Sequence, residues 1–248
     1  MEWQAPAVVL DIRPHGEAGA VVTLLTEEHG RHAGLAKGGA SRAQAALWQP
    51  GNLVEVRWVA RLPDQLGALT GELVHASAAL AMEDPLALAV LRAATGVAEG
   101  ALPEREPHPR IFHGLVSLIA TLARGAEPAI PELVRWEADL LANLGYGLDL
   151  ARCAVTGSTE DLAFVSPRSG RAVSLAGAGE WRDRLLPLPA FLLGQGPSEP
   201  ADWLAGLRLT GHFLARDVFG SQHRPVPAAR EILVDRITAL VAPPEQMG

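Results

Sequence analysis

Over roughly the first 75 residues, apolar and polar side chains alternate with the period of two that marks half-buried strands. Residues 7–14 place Val8, Leu10 and Ile12 on one face and Val9, Asp11 and Arg13 on the other. A turn at His15-Gly16-Glu17 leads into a β-branched run at 20–26. A second turn at 27–30 leads into a third strand, 31–37, with Arg31, Ala33, Leu35 and Lys37 on one face. Residues 53–60 alternate again, with Val54, Val56 and Trp58 opposed to Glu55 and Arg57, and 66–74 reads as a fifth strand. Five short strands with a turn at nearly every boundary predict a small Greek-key barrel, because a sandwich usually needs about seven.

The period changes at Asp84-Pro85, an N-cap acid followed by proline at the first helical position. Leu86, Val90, Ala93 and Val97 form one helical stripe, Ile111, Leu115, Leu118 and Leu122 a second, and Leu133, Leu140, Leu141 and Leu144 a third. Two late amphipathic segments carry Leu204, Leu207, Leu214 and Val218, and Ile232, Leu233, Ile237 and Leu240. Pro103, Pro107 and Pro109 stiffen a connector inside the helical part. Residues 150–179 lack helical period and are rich in glycine, serine and threonine. The expected class is α+β and multidomain: a five-stranded barrel of the oligonucleotide/oligosaccharide-binding (OB) type over 1–80, then a mainly helical domain over 81–248 with an irregular module at about 150–179.

Composition narrows the function. With 48% hydrophobic residues among 248, the chain can bury one large core or two modest ones, and no run approaches the roughly 20 apolar residues of a membrane span. The start, Met-Glu-Trp-Gln-Ala-Pro, lacks the basic opening of a signal peptide, and the single cysteine, Cys153, suits a reducing compartment, so the cytoplasm is expected. A net charge of −7 argues against a chain that coats nucleic acid with its whole surface. The positive charge is local instead: from His29 to Arg61 five cations, Arg31, Lys37, Arg42, Arg57 and Arg61, face one acid, Glu55.

Lys37, the only lysine, precedes Gly38-Gly39-Ala40-Ser41-Arg42. Glycines beside a cation let backbone N–H groups and a side-chain charge reach the same anion, since no Cβ holds a phosphate away. The spacing differs from the phosphate-binding loop ending Gly-Lys-Ser/Thr, and a hairpin loop with solvated charges fits the stretch equally well. In an OB-type barrel a single strand lies along the polar face and its loops, which makes Arg31, Lys37, Ser41, Arg42, Arg57 and Arg61 the candidate contacts. Trp58 shares a face with Val54 and Val56 and reads as core; Trp48, beside Pro50, reads as the exposed ring.

Taken in order, residues 30–42, Leu47-Trp48-Gln49-Pro50, Leu102-Pro103-Glu104-Arg105-Glu106-Pro107-His108-Pro109-Arg110 and Leu144-Gly145-Tyr146-Gly147-Leu148-Asp149-Leu150 ahead of Cys153 resemble the RecO family of bacterial recombination mediators. The resemblance runs along most of the chain and implies a barrel followed by a helical domain. It also implies a non-enzymatic role: binding single- and double-stranded DNA, annealing strands, and loading RecA with RecR onto strands coated by single-stranded-DNA-binding protein (SSB). By position, Lys37, Gly38, Ser41 and Arg42 fall on the family's basic loop, and Arg31 opens the strand before it. Gly39 and Ala40 stand where arginines are common, which lowers the expected phosphate count. Arg168 and Arg171 either extend the DNA track onto the second domain or belong to a solvated loop. Many relatives carry two Cys-x-x-Cys pairs in this module, a spacing for structural zinc. Here Cys153 is followed by Thr156, Ser174 and Gly177 at the other positions, so the expectation is a degenerate zinc-finger-like module without metal.

Enzyme signatures are missing: no Gly-x-Ser-x-Gly, no His-Glu-x-x-His and no dinucleotide fingerprint occur. The alternative to a DNA-binding mediator is a non-catalytic adaptor whose helical domain receives a partner such as the SSB C-terminal tail, for which Arg208 and Arg216 are the candidate cations.

Overall fold

The computed structural model describes residues 1–41, 44–62, 65–196 and 198–242. The chain divides into two compact units, Met1–Ala129 and Ile130–Gly248.

In the first unit β1 (Glu2–His15), β2 (Gly19–Thr26), β3 (Gly30–Ala36), β4 (Leu53–Val59) and β5 (Ala68–His75) close a barrel in the order β1-β2-β3-β5-β4. Closure depends on the length of β1. Its first half pairs with β4, from Glu2 opposite Val59 to Val8 opposite Leu53, and its second half pairs with β2, with a bulge between Val9 and Asp11. A bulge bends and twists a strand, which lets one strand belong to both sides of a barrel. It also corrects the expected alternation: Ala7 and Val9 join the barrel core with Ile12 packed against it, and Val8 is not part of that cluster. Val8, Leu10 and Leu25 are nonetheless buried, because helix α2 (Pro85–Ala101) lies against β1 and helix α3 (Pro109–Leu122) against β2. Gly51, at φ 96°, lets the chain pass Leu91 of α2; a Cβ there would fall 2.5 Å from Leu91 Cδ2. Asp84 caps α2 by accepting from the Leu86 N–H at 2.8 Å, as its sequence predicts. A short helix, α1 (Ser77–Ala81), precedes it.

In the second unit, helix α4 (Ala126–Asn143, beginning in the first unit) ends in a Schellman turn. Gly145 is at φ 90°, and the Tyr146 and Gly145 N–H groups donate to Leu141 and Ala142 carbonyls at 2.8 and 3.1 Å. The Gly-Tyr-Gly motif is therefore a helix stop. A three-stranded sheet follows, with β6 (Leu162–Val165) between β7 (Ala172–Ser174) and β8 (Leu186–Pro187), and helix α5 (Leu175–Ala178) after β7. Helices α6 (Pro200–Phe213) and α7 (Ala228–Val241) complete the unit. A buried ion pair holds it: Arg230 of α7 donates from Nε and Nη2 to the two Glu137 carboxylate oxygens of α4 at 2.7 and 2.8 Å, and from Nη2 to the Leu207 carbonyl of α6 at 2.7 Å. Among the described residues no helix is long and apolar enough to cross a membrane.

Candidate nucleic-acid interface

The loop between β3 and β4 carries Lys37 and is anchored at both ends. At its start the Gly39, Ala40 and Ser41 N–H groups donate to the carbonyls of Ala36, Ala18 and Gly38 at 3.1, 3.2 and 2.9 Å. Those amides are spent on the turn, so they form no N–H cradle for an anion, and the expected role of the paired glycines is corrected to a folded turn. Ser41 serves this turn too, its carbonyl accepting from Gln44 and Ala45 at 3.1 and 2.8 Å. At the loop's far end Asn52, which the sequence reading passed over, is fully buried. Its Nδ2 donates to the Ala46 and Leu47 carbonyls at 2.8 and 3.2 Å, and its Oδ1 accepts from the Ala78 N–H at 3.1 Å.

Trp48 overturns its expected exposure: it is 1% exposed and belongs to the barrel core, covering Gly71 of β5. The reason is closure. A loop crossing the end of a small barrel must plug it, and the indole supplies that volume. Trp58 is core as expected, its Nε1 donating to the Leu66 carbonyl at 3.0 Å.

The candidate cations have different fates. Lys37 is exposed and has no ion-pair partner among the described residues, and the same holds for Arg61. They are not neighbours: Val59, Ala68 and Leu35 lie side by side across β4, β5 and β3, so Arg61 leaves β4 toward the Gly30 end of β3 while Lys37 leaves β3 at the other end. Arg57 donates to Glu2 at 2.6 Å on a face that also presents Glu55 opposite Glu72. That exposed carboxylate holds the Arg57 pKa up, and Arg57 holds Glu2 down. Arg31 is committed to the proline-rich connector, with Nε donating to the Leu102 carbonyl at 2.7 Å, Glu99 and Glu104 each at 4.0 Å, and its own carbonyl accepting from Arg105 N–H at 2.8 Å. Arg42 lies outside the described residues. In the second unit Arg168 is exposed in the turn between β6 and β7, and Arg171 lies 3.5 Å from Asp149. Arg208 is exposed, whereas Arg216 pairs twice with Asp217 at 2.7 Å and donates to the Pro167 and Arg168 carbonyls, clamping that turn.

Cys153, Thr156, Ser174 and Gly177, the four positions at which the resemblance implies zinc ligands, do converge. Cys153 Sγ accepts from the N–H groups of Val155, Thr156 and Ser174 at 3.4, 3.4 and 3.2 Å and from Ser174 Oγ at 3.3 Å. A Cβ on Gly177 would lie 2.9 Å from that sulfur. Burial pushes the thiol up, but the Ser174 and Thr156 hydrogen bonds outweigh it and bring the pKa down to about 6. Structural zinc needs four donors at bonding distance. Here one sulfur, two hydroxyls and a glycine have closed on one another, and these residues do not fit the metal.

Comparison with known proteins decides the family. The family model described as recombination protein O N terminal matches residues 1–77, and the one described as recombination protein O C terminal matches residues 82–224. The chain belongs to the RecO family. Proteins named DNA repair protein RecO are similar to it over nearly their whole length. The one from Gluconacetobacter diazotrophicus is 60% identical over 245 residues, covering 97% of this chain and 96% of that protein. The one from Granulibacter bethesdensis is 58% identical over 242 residues, covering 97% of each. The one from Acidiphilium cryptum is 57% identical over 242 residues, covering 96% of each. The boundary between the two RecO models falls at α1, whereas compactness groups α2 and α3 with the barrel on which they pack.

Proposed function

We propose that this chain is a non-catalytic recombination mediator of DNA repair, working in the cytoplasm on the nucleoid. In this reading the barrel, residues 1–80, binds single- and double-stranded DNA, and the helical domain, 81–248, receives RecR and the C-terminal tail of SSB. Strand annealing and RecA loading follow from holding DNA and partners together. The observation that carries the reading is the family match over both the barrel and the helical part, joined to Lys37, which has no ion-pair partner among the described residues, on the anchored loop of a closed OB-type barrel. Loops of such barrels take the backbone of a single strand in a basic groove.

A second reading, an adaptor whose own DNA contact is weak, draws support from the acids that compensate Arg31, Arg57 and Arg171. Salt separates the two. Each phosphate neutralised on a single strand contributes about −0.7 to the slope of log affinity against log salt. Three contacts would cost roughly 20-fold between about 50 and 200 mM salt. Fluorescence anisotropy with a labelled oligonucleotide should show that loss for the wild type and a slope flatter by about 1.4 for Lys37→Ala/Arg42→Ala. Absence of wild-type binding at the lower salt would favour the adaptor, and an unchanged slope in the variant would move the site away from this loop.

A further inference from the structure

Trp181 lies in the 3-10 segment Gly179–Arg184 of the second unit and is 62% exposed. Trp48, Trp58, Trp136 and Trp203 are buried and Trp3 is half-buried, so this indole is the one left largely in water. An exposed ring of this size is unusual on a surface with no partner, because indoles combine a large apolar area with a polar edge and concentrate where something docks. Packing does not require it. The turn is tied down by other residues, with Leu185 and Phe164 packed against the Cys153, Val173 and Ala178 cluster and the Arg182 guanidinium 5.7 Å above the Phe164 ring.

The charge around the ring is equally specific. The Arg184 guanidinium stands 5.2 Å over the Trp181 ring, and neither Arg182 nor Arg184 has a carboxylate partner among the described residues, although Glu180 and Asp183 belong to the same turn. The sheet register extends this patch. Ala172 of β7 and Leu186 of β8 both lie beside Val165 of β6, and both strands run antiparallel to β6, so Arg184, just before β8, and Arg171 and Arg168, just before β7, reach the same end of the sheet.

We propose that Trp181, with Arg182 and Arg184, forms a second contact for single-stranded nucleic acid, in which the indole stacks on an unpaired base and the two guanidinium groups take the flanking phosphates. An aromatic face beside unpaired arginines supplies both halves of single-strand recognition, stacking and backbone charge. Arg168 then continues the track at the end of the sheet. The site rests on the DNA-binding reading above and extends it to a surface where no residue had been assigned beyond Arg168 and Arg171.

The test uses the full chain and a labelled oligothymidine of about 20 nucleotides, longer than one OB-fold site. Affinity is measured at low and high salt for the wild type, Trp181→Ala, Trp181→Phe and Arg182→Ala/Arg184→Ala. Trp181→Ala should weaken binding at least about fivefold, the lower range for one stacked base, without changing the salt slope. Trp181→Phe, which keeps a ring, should recover most of that loss. The double arginine variant should flatten the slope by about 1.4. Thermal melting within a few degrees of wild type, expected at so exposed a position, shows that the fold is intact. Unchanged affinity in Trp181→Ala, with binding still lost in Lys37→Ala/Arg42→Ala, would overturn this site and leave the DNA-binding reading standing. A wild type that does not bind the oligonucleotide at low salt would overturn both.

Discussion

Replacing His32 with leucine should make the protein more stable, and by a margin that grows in acid. His32 points into the barrel, 6% exposed, with its ring edge-on to Trp58 at 4.8 Å and Trp3 at 5.2 Å, and neither ring nitrogen has a hydrogen-bond partner among the described residues. Burial first, then the positive charges of Arg105 and His29, lower its pKa from 6.5 to about 4, and the His29 backbone and Glu104 offset only part of this. Between those two values the unfolded chain binds more protons than the folded one, so stability present at neutral pH is lost as the pH falls from 6.5 toward 4. The whole shift corresponds to about 3 kcal/mol, of which about 2 kcal/mol is lost by pH 5. For a chain of this size that is roughly 4–8 °C in Tm. His32→Leu keeps a similar volume between the two indoles and removes both the titration and the unsatisfied nitrogens. Thermal melts of the two proteins at pH 7 and pH 5 should show the variant ahead at both and its lead wider at pH 5 by that amount. A lead that is the same at both pH values would refute the reasoning, because it would mean that His32 takes up its proton as easily in the barrel as in the unfolded chain.

Two further predictions concern the second unit. Glu137→Ala leaves Arg230 charged and buried without its bidentate partner and should cost about 3–5 kcal/mol in urea unfolding, whereas Glu137→Leu/Arg230→Met, which removes both charges, should recover most of it; a double variant as unstable as the single one would contradict this account. Ser174→Ala removes a donor to Cys153 Sγ and the side-chain acceptor that caps α5 at the Gly177 N–H, so Tm should fall by an amount equivalent to about 1–2 kcal/mol while a chelator leaves wild-type Tm unchanged. Stoichiometric zinc on metal analysis would sink the metal-free reading of this module.

Much of the barrel is legible in local pattern. The alternation of Val54, Val56 and Trp58 against Glu55 and Arg57 survives intact because β4 has one apolar neighbourhood and no bulge within the alternating stretch. The same reading misplaces Val9, since a bulge inserts one residue at Leu10 and shifts every side chain beyond it, and helix α2 buries Val8 and Leu10 on the side of β1 that faces away from the barrel core. Trp48 fails for a related reason: proximity to Pro50 marks a turn but does not say whether the turn stands in water or caps a barrel. The positive charge between His29 and Arg61 is plain from the chain, but its availability is not, because the acids that compensate Arg31 and Arg57 come from Glu99, Glu104 and Glu2, far away in sequence. Trp181 carries no sequence signal either; a lone aromatic beside arginines looks the same whether packed or exposed.

Residue identity and spacing over a few positions are enough to place the five barrel strands and the change of period at Asp84-Pro85, and they leave one thiolate, Cys153, at the four positions where the resemblance implies zinc ligands; the sheet of β6, β7 and β8, largely within a stretch that reads as irregular, is not legible in them. The fold alone settled that Lys37 and Arg61, neither with an ion-pair partner among the described residues, leave the barrel in opposite directions along β3, that the glycine loop spends its amides on its own turn, and that Cys153 accepts from Ser174. Those outcomes depend on which distant carboxylate, carbonyl or amide arrives within about 3 Å, a length scale set by closure of the barrel and packing of the sheet and carried by no local pattern.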